Sequence, residues 1–356
     1  MTKYYYPCIM LLNDIHISKE NIEEFKLNWG EALYICDSMS INMIAVGGDL
    51  FMSRSSQTLD ILLAVHDALL DADKRNITIF LVNGNHDKVN QESEKGYCHI
   101  FDQHKNVFVG DENIIVTDNK HWNFALHILA YFPENGTFTE RLDRLKKTTM
   151  VEGKKNYLYV HEGINGAIQA ASDSELPASL FESFDKVFVG HYHNRCIIPN
   201  TNIEYIGSSR QHNFGEDEEK GYTVLFNDGT TKFIKNEVNK RYKVIDVVAD
   251  KVNVHLHNLI EELKEDDRNK IKVRITCPSD KATSIDKQKL VQAGATKVEI
   301  ITEDIEIKEI VSSSLFVKYD GRKIQENYQE FCREKNIKDI SLGLNYLSKI
   351  VSTCGN

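Results

Sequence analysis

Five short apolar segments of this 356-residue chain are each followed within three residues by aspartate, asparagine or histidine. They are CIMLL (8–12), MIAV (43–46), ITIFLV (77–82), YLYV (157–160) and KVFV (186–189). Continuous apolar runs of this length are typical of strands buried on both faces, and apolar residues at helical spacing lie between the first three. The pattern therefore predicts an α/β fold class with a largely central sheet.

The polar residues follow each predicted strand at the point where it ends. Because the carboxyl ends of parallel strands meet at one edge of a sheet, we expect these side chains to converge. Glycine immediately before Asp49, Asn85 and His191 allows the sharp turn that brings a ligand close to an ion. The converging residues are, in chain order, Asp14, His16, Asp49, Asn85, His86, Asp87, His161, His191 and His193.

The residue types in this set indicate a metal site. Mixed nitrogen and oxygen ligands without thiolate suit Mn²⁺, Fe²⁺ or Zn²⁺ better than Ca²⁺ or a structural zinc ion. Without His86 and Asp87, the set has two aspartates, one asparagine and four histidines, which are too many for one tetrahedral ion. They suit two ions about 3.5–4 Å apart that share one carboxylate. A single histidine or aspartate at a strand end is usually structural, whereas the full series in this order favours metal binding.

Composition narrows the class of protein. The formal net charge of −10 argues against a surface coated with basic residues for nucleic acid. Two bound divalent ions would supply local positive charge and remove that objection. The seven cysteines form no CxxC pair, which indicates reduced thiols. The apolar stretch at the N-terminus is too short for a signal peptide or a membrane span, so we expect a cytoplasmic protein with no membrane partner.

The pattern of elements changes near residue 240. From RYKVIDVV (241–248) onward, strands and helices alternate in what we interpret as a separate small α+β module. Beyond residue 319, apolar residues at helical spacing predict two amphipathic helices. We therefore expect three parts, with boundaries near residues 245 and 318.

The motifs DIH, GGDLF, GNHD, VHEG and GHYH, in this order, closely resemble those of the calcineurin-like metallophosphoesterases. The later segment YIGSSRQHNFGEDEEKGY (205–222) resembles the SbcD-type DNA double-strand-break repair nucleases. The likeness implies a metallophosphoesterase core, with sheets flanked by helices, over residues 1–245. It also implies a capping, DNA-binding α+β domain over residues 246–318 and a helical tail over residues 319–356 that docks on an ATPase subunit.

The resemblance implies two divalent metal ions, of which Mn²⁺ is the best candidate, with Asp49 as the bridging ligand. His86 would not ligate; it would face the scissile phosphate and stabilise developing charge or protonate the leaving oxygen. Asp87 is the nearest candidate to orient the His86 ring. The implied ligands are Asp14, His16, Asp49 and His193 for the first ion, and Asp49, Asn85, His161 and His191 for the second.

The preferred interpretation is a Mn²⁺-dependent DNA nuclease, acting as exonuclease or endonuclease in repair or recombination beside an SbcC-like ATPase subunit. Homodimerisation is a further family expectation. A phosphomonoesterase or nucleotide phosphodiesterase on the same core is the alternative, and an inactive scaffold is the third interpretation. Met52 stands where many cellular members have histidine, so phosphodiester hydrolysis is better supported than processive exonuclease action. Candidate DNA contacts, with solvated surface as the alternative, are Arg54, Lys88, Arg195, Arg210 and His212.

Overall fold

The structure, a computed structural model, describes residues 5–118, 120–168 and 175–303, together with five single positions between residues 328 and 341. The helical tail predicted for residues 319–356 therefore lies almost entirely outside the described residues. Within the described part of the chain, no helix is long and apolar enough to cross a membrane.

Strands and α-helices alternate at the start of the chain and again after residue 248, with a series of strands between, and the predicted α/β class is confirmed. In chain order the strands are β1 (Pro7–Leu12), β2 (Met43–Gly47), β3 (Thr78–Val82), β4 (Val107–Gly110), β5 (Asn113–Thr117), β6 (Phe124–Leu129), β7 (Lys155–His161), β8 (Lys186–Gly190), β9 (Cys196–Ile197), β10 (Ile203–Tyr205), β11 (Gly221–Phe226), β12 (Thr231–Lys235), β13 (Arg241–Val248), β14 (Asn269–Pro278) and β15 (Lys297–Glu303). The α-helices are α1 (Ile22–Met39), α2 (Leu59–Lys74), α3 (Phe138–Thr149), α4 (Val254–Lys264) and α5 (Lys287–Gln292).

Two six-stranded sheets replace the single central sheet that the apolar runs predicted. One has the strand order β12-β11-β1-β2-β3-β4, and the other has the order β5-β6-β7-β8-β10-β9. β1 to β4 are parallel to one another, as are β6, β7, β8 and β10. The remaining strands join antiparallel. The apolar runs alone did not reveal this division, because a run buried on both faces does not show which strand it pairs with, whereas the resemblance implied more than one sheet.

β1 shows why its sequence is apolar throughout. Ile9 and Leu11 belong to an apolar cluster that includes residues of both sheets. Met10 and Leu12 belong to a second cluster, which α1 and α2 cover. Alternate residues of a strand point to opposite faces, so β1 has no side that faces solvent. Each such side chain contributes about 1.5–3 kcal/mol on burial.

β13, β14 and β15 form a third, wholly parallel sheet with α4 and α5 packed on one face. The burial of β14 alternates along the strand: Ile271, Val273 and Ile275 are buried, whereas Lys272 and Arg274 are half-buried on the opposite face. This period of two is typical of a sheet with one face toward a core. The third sheet lies in the region where the sequence predicted a small α+β module, and β13 begins at Arg241, before the boundary expected near residue 245.

Candidate metal centre

Side chains from both six-stranded sheets meet at the carboxyl ends of their strands. β1 and β2 lead into Asp14 and Asp49, and β7 ends at His161. The ligand atoms of these three residues lie within 4.8 Å of one another, and the same holds for Asp14, His16 and His193. Predicted ligands from distant parts of the chain therefore form one cluster.

The Asp49 carboxylate lies between imidazoles of the two predicted half-sites. Its Oδ2 is 3.5 Å from Nε2 of His16 and 3.2 Å from Nε2 of His161. Oδ1 of Asp14 is 3.9 Å from Nε2 of His16 and of His193, and 3.8 Å from Nε2 of His161. Asp49 thus lies within 3.5 Å of one imidazole from each predicted half-site, with Asp14 close beside it.

The Asn85 amide tests whether a cation fits this cluster. The terminal atom that it turns inward lies 3.2 Å from both carboxylate oxygens of Asp49 and 3.3 Å from Nε2 of His161. With oxygen in that place, the amide turns a lone pair toward the Asp49 carboxylate, and a cation between the two groups would satisfy both. With nitrogen there, the amide would itself bridge these acceptors and its oxygen would accept from Arg54. The chemistry of the surrounding donor set favours the first orientation and fits a divalent ion.

Four imidazoles are held from outside by Nδ1, which leaves Nε2 directed elsewhere. In a metal-binding histidine, the hydrogen bond at the nitrogen that does not bind the metal fixes the ring orientation and the tautomer. The acceptors are the carbonyl oxygen of Phe51 for His16 at 3.3 Å, that of Gly47 for His161 at 3.1 Å, that of Met52 for His86 at 2.6 Å, and Oε1 of Glu216 for His193 at 2.9 Å.

Several residues of the cluster have a left-handed backbone conformation, which residues other than glycine rarely adopt. Asp14, His16 and Asp49 have φ angles of 51°, 49° and 51°, and His191 has a φ of 89°. A left-handed residue other than glycine costs about 1–3 kcal/mol and persists only where the surroundings hold it. One such support is the amide of His191, which donates to both oxygens of Asp14 at 3.2 Å.

Two of the glycines that precede predicted ligands are required for different reasons. Gly48 has a φ of +106°, which a side chain would strain. Gly84 has an ordinary φ of −87°, but a Cβ there would lie 2.3 Å from both N and Oδ1 of Asp49. The predicted sharp turn therefore applies to Gly48, whereas Gly84 makes room for the bridging carboxylate.

Asp87 does not orient the His86 ring, which corrects the role predicted for it. Its buried carboxylate accepts from the amides of Gly84 at 2.7 Å, Phe51 at 2.8 Å and Leu50 at 3.3 Å. It thereby ties the segment after Asp49 to the segment that carries Asn85. The His86 ring is oriented by the Met52 carbonyl instead, a backbone contact that no side-chain pattern reveals.

Burial and neighbouring charge shift the pKa values of the cluster in opposite directions. Burial lowers the pKa of His16 and of His191 to about 4, so both rings are neutral and present lone pairs. Burial also opposes a charge on His161, but the Asp49 and Asp14 carboxylates outweigh it and raise the His161 pKa to about 9. A metal ion would replace the His161 proton, because a ligating imidazole must be neutral.

Comparison with known proteins relates the chain to phosphoesterases and to nuclease subunits. No protein-family model matches it. A phosphoesterase of Invertebrate iridescent virus 6 is 28% identical over 228 residues, which is 62% of this chain and 76% of that protein. The SbcD subunit of the SbcCD nuclease of Staphylococcus saprophyticus is 26% identical over 263 residues, 62% of this chain and 66% of that protein. A phosphoesterase of Invertebrate iridescent virus 3 is 25% identical over 331 residues, 89% of this chain and 92% of that protein.

The chain is a relative of phosphoesterases and of SbcD nuclease subunits. The resemblance predicted from the five motifs is confirmed, and so is the predicted class of enzyme, a phosphoester hydrolase. The long alignment with the second viral phosphoesterase includes most of the chain, so the relationship is not limited to the metal-binding motifs.

The residues predicted to contact DNA divide into exposed and enclosed ones. Arg54 is exposed, and its guanidinium lies beside the Asn85 amide. Arg195 is half-buried and pairs with Glu204 at 2.8 Å. Lys88 is 0% exposed and Arg210 is 4% exposed, so neither reaches solvent where a phosphate could meet it. The DNA contacts predicted for these two residues therefore find no support in the structure.

Several supporting residues escaped the sequence reasoning. The Tyr159 hydroxyl donates to the Leu12 carbonyl at 2.6 Å and to Oδ1 of Asn13 at 2.8 Å. Nδ2 of Asn13 donates to the carbonyl of Gly207 at 3.0 Å and also to Oδ2 of Asp14. Asn13 directly precedes a ligand, which was the one available signal. Tyr159 lies within an apolar run and offered none.

Proposed function

We propose that this chain is a Mn²⁺-dependent DNA nuclease that hydrolyses phosphodiester bonds with two metal ions. The observation that carries the proposal is the position of the Asp49 carboxylate, within 3.5 Å of one imidazole from each half-site. Support for a nuclease comes from the staphylococcal SbcD relative, which is named as part of a nuclease. Oxygen and imidazole ligands without thiolate favour Mn²⁺ over softer ions.

We assign the residues of the cluster to the two ions as follows. When bound, the ions supply Lewis-acid polarisation of the phosphate and a nucleophile at neutral pH. The protein positions the donor atoms before an ion binds. It does so through the left-handed backbone conformation of Asp14, His16, Asp49 and His191 and through the Nδ1 hydrogen bonds of the imidazoles. The first ion would be held by Asp14, His16, Asp49 and His193, and the second by Asp49, Asn85, His161 and His191.

His86 acts on the substrate in this proposal. Its Nδ1 is hydrogen-bonded to the Met52 carbonyl, which leaves Nε2 available, and the residue is half-buried. An imidazole so held can donate a proton to the leaving oxygen or stabilise charge on the phosphate. His86 also lies within ligand distance of His16 and Asp49, so its assignment as a non-ligand needs an experiment.

Among the described residues, Arg54 is the best candidate for contact with the substrate. Its guanidinium is exposed and lies beside Asn85, at the edge of the proposed second metal site. Guanidinium groups bind phosphate oxygens through paired donors. Because the whole chain is acidic, a single cation at this edge and the two metal ions would provide the local positive field that a nucleic acid requires.

The division of labour along the chain is also a proposal. Residues 1–245 would carry the nuclease chemistry, residues 246–318 would cap the site and contact DNA, and residues 319–356 would dock on an SbcC-like ATPase. A homodimer and a role in repair or recombination belong to the same proposal. Its support is the resemblance of the motifs and the separate third sheet after residue 240.

A phosphomonoesterase or nucleotide phosphodiesterase is the second candidate function. It is favoured by the viral relatives, which are named as phosphoesterases. Both functions use the same two ions, so the metal cluster alone does not separate them.

Incubation of the purified protein with Mn²⁺ and either labelled DNA or a small chromogenic phosphoester tests the choice. We expect DNA cleavage that Asp49→Ala abolishes. Hydrolysis of the small ester alone would refute the nuclease. Two bound Mn²⁺ ions with no hydrolysis of either substrate would support the inactive scaffold instead.

A further inference from the structure

The segment of residues 208–216, which follows β10, lies against the ligand loop of residues 13–16. Nε2 of His212 is 2.8 Å from the carbonyl oxygen of Asp14. The Arg210 guanidinium donates to the carbonyl oxygens of Ile15 at 3.0 Å and His16 at 3.4 Å. Three successive carbonyls of the ligand loop are thus held by two side chains that the sequence suggested for DNA contact.

His212 also packs directly against the ligands. Its ring centre lies 5.2 Å from that of His16 and 4.9 Å from that of His193. Its amide donates to Oε2 of Glu216 at 3.1 Å, and Oε1 of Glu216 accepts from Nδ1 of His193 at 2.9 Å. Asp14, His212, Glu216 and His193 therefore form one connected set of bonds that joins the ends of β1 and β8.

The other side of the segment is fixed to the third sheet. Oε1 of Gln211 accepts from the amide of Tyr242 at 2.8 Å, and Nε2 of Gln211 donates to the Tyr242 carbonyl at 3.1 Å. The Phe214 and Tyr242 rings meet edge to face, with centres 5.0 Å apart. These contacts with Tyr242 fix the position of the segment and therefore that of the His212 side chain beside the ligand loop.

We propose that His212 is a positioning residue of the metal centre. The hydrogen bond from its Nε2–H group to the Asp14 carbonyl oxygen holds Asp14 in ligating geometry. Asp14 has a φ of 51°, a conformation that the chain leaves unless other contacts hold it. Its amide is already fixed, since it donates to the Gly48 carbonyl at 3.1 Å. The His212 bond fixes the opposite side of the residue. His212 is not itself a ligand in this account, because its Nε2 is occupied by that carbonyl.

The inference rests on the proposed two-metal site, and Mn²⁺ binding to the full chain tests it without a nuclease assay. His212→Phe keeps a ring between His16 and His193 and removes the donor. His212→Gln keeps an N–H donor at about the reach of Nε2. We expect Mn²⁺ affinity, measured by electron paramagnetic resonance of the free ion, to fall about 10–100-fold in His212→Phe. We expect His212→Gln to recover most of that loss.

Thermal unfolding of the metal-free variants, recorded in parallel, shows that the fold is intact. If the phenyl ring prevents folding, the smaller His212→Leu serves as the variant without a donor. Wild-type affinity in the variant without a donor would overturn the inference, and so would an equal loss in His212→Gln. A wild-type protein that binds no Mn²⁺ would instead refute the proposed metal site, so the two failures are distinguishable.

Discussion

The metal centre and the third sheet use parallel strands in opposite ways. In the centre, the carboxylates of Asp14 and Asp49 are 0% and 2% exposed and lie at the same buried edge. In the third-sheet region, Ile260 of α4 fills the interior, and charged groups such as Arg274 and Asp246 pair at the exposed surface. Burial of acidic groups is costly, whereas exposed pairs add little either way. Such costly packing is what we expect at a site that binds metal ions.

The backbone conformation also differs between the two regions. Four of the predicted ligands have positive φ angles, whereas no residue with a positive φ other than glycine lies in the described part of the third sheet and its helices. Strain of this kind is retained when a function requires the geometry. The two regions should therefore respond differently to substitution: the centre through metal binding and activity, and the third sheet through stability.

The largest effect should come from Asp49→Ala. Loss of the bridging carboxylate removes a ligand of both ions, so we expect Mn²⁺ content to fall and DNA hydrolysis to drop to the level of the no-enzyme control. Asp246→Ala, in the third sheet, is the matched control and should keep full metal content. Two bound ions in Asp49→Ala would contradict the bridging role.

His86→Gln should come next and should separate chemistry from binding. We expect both metal ions to be retained, because the proposed ligand sets do not include His86, and the cleavage rate to fall about 10²–10⁴-fold. His255→Gln removes an exposed histidine of the third-sheet region and should cleave normally. If His86→Gln lost a metal ion, His86 would be a ligand, in agreement with its short distances to His16 and Asp49.

Glu216→Gln should have a smaller effect on the same centre. The Glu216 carboxylate accepts from Nδ1 of His193 at 2.9 Å, so its loss should weaken Mn²⁺ binding about 10–100-fold. Glu219→Gln, which changes an exposed glutamate three residues further along the chain, is the control. Equal Mn²⁺ affinities of the two variants, measured by titration, would show that the Glu216 contact does not orient the ligand.

The smallest effect should come from Ile260→Val in α4, the helix that packs on the third sheet. Ile260 is fully buried, and removal of one methylene from such a site lowers the free energy of unfolding by about 0.5–1.5 kcal/mol. We expect unchanged Mn²⁺ affinity and cleavage per folded molecule, with denaturant unfolding as the measurement. A loss of Mn²⁺ affinity here would mean that the two regions are not separable.

The apolar runs predicted which side chains converge, and the resemblance predicted more than one sheet. Asp14, Asp49 and His161 could be placed together because each follows an apolar run within three residues, and strand ends converge whichever sheet they belong to. The apolar runs alone did not reveal the division into two sheets, since Ile9 and Met10 look alike in sequence but face different clusters.

Roles that depend on backbone contacts were also beyond the sequence. The Met52 carbonyl, not Asp87, orients His86, and no residue type predicts a bond to a carbonyl. Lys88 and Arg210 were candidates for the surface because of their charge, but the fold encloses both. Their burial depends on neighbours distant in the chain, which a one-dimensional pattern does not reveal.

Anomalous diffraction at the manganese edge from crystals soaked in Mn²⁺ tests the central claim most directly. The account predicts two peaks on either side of the Asp49 carboxylate, one facing His16 and His193 and the other facing Asn85 and His161. A single peak, or peaks away from Asp49, would contradict it.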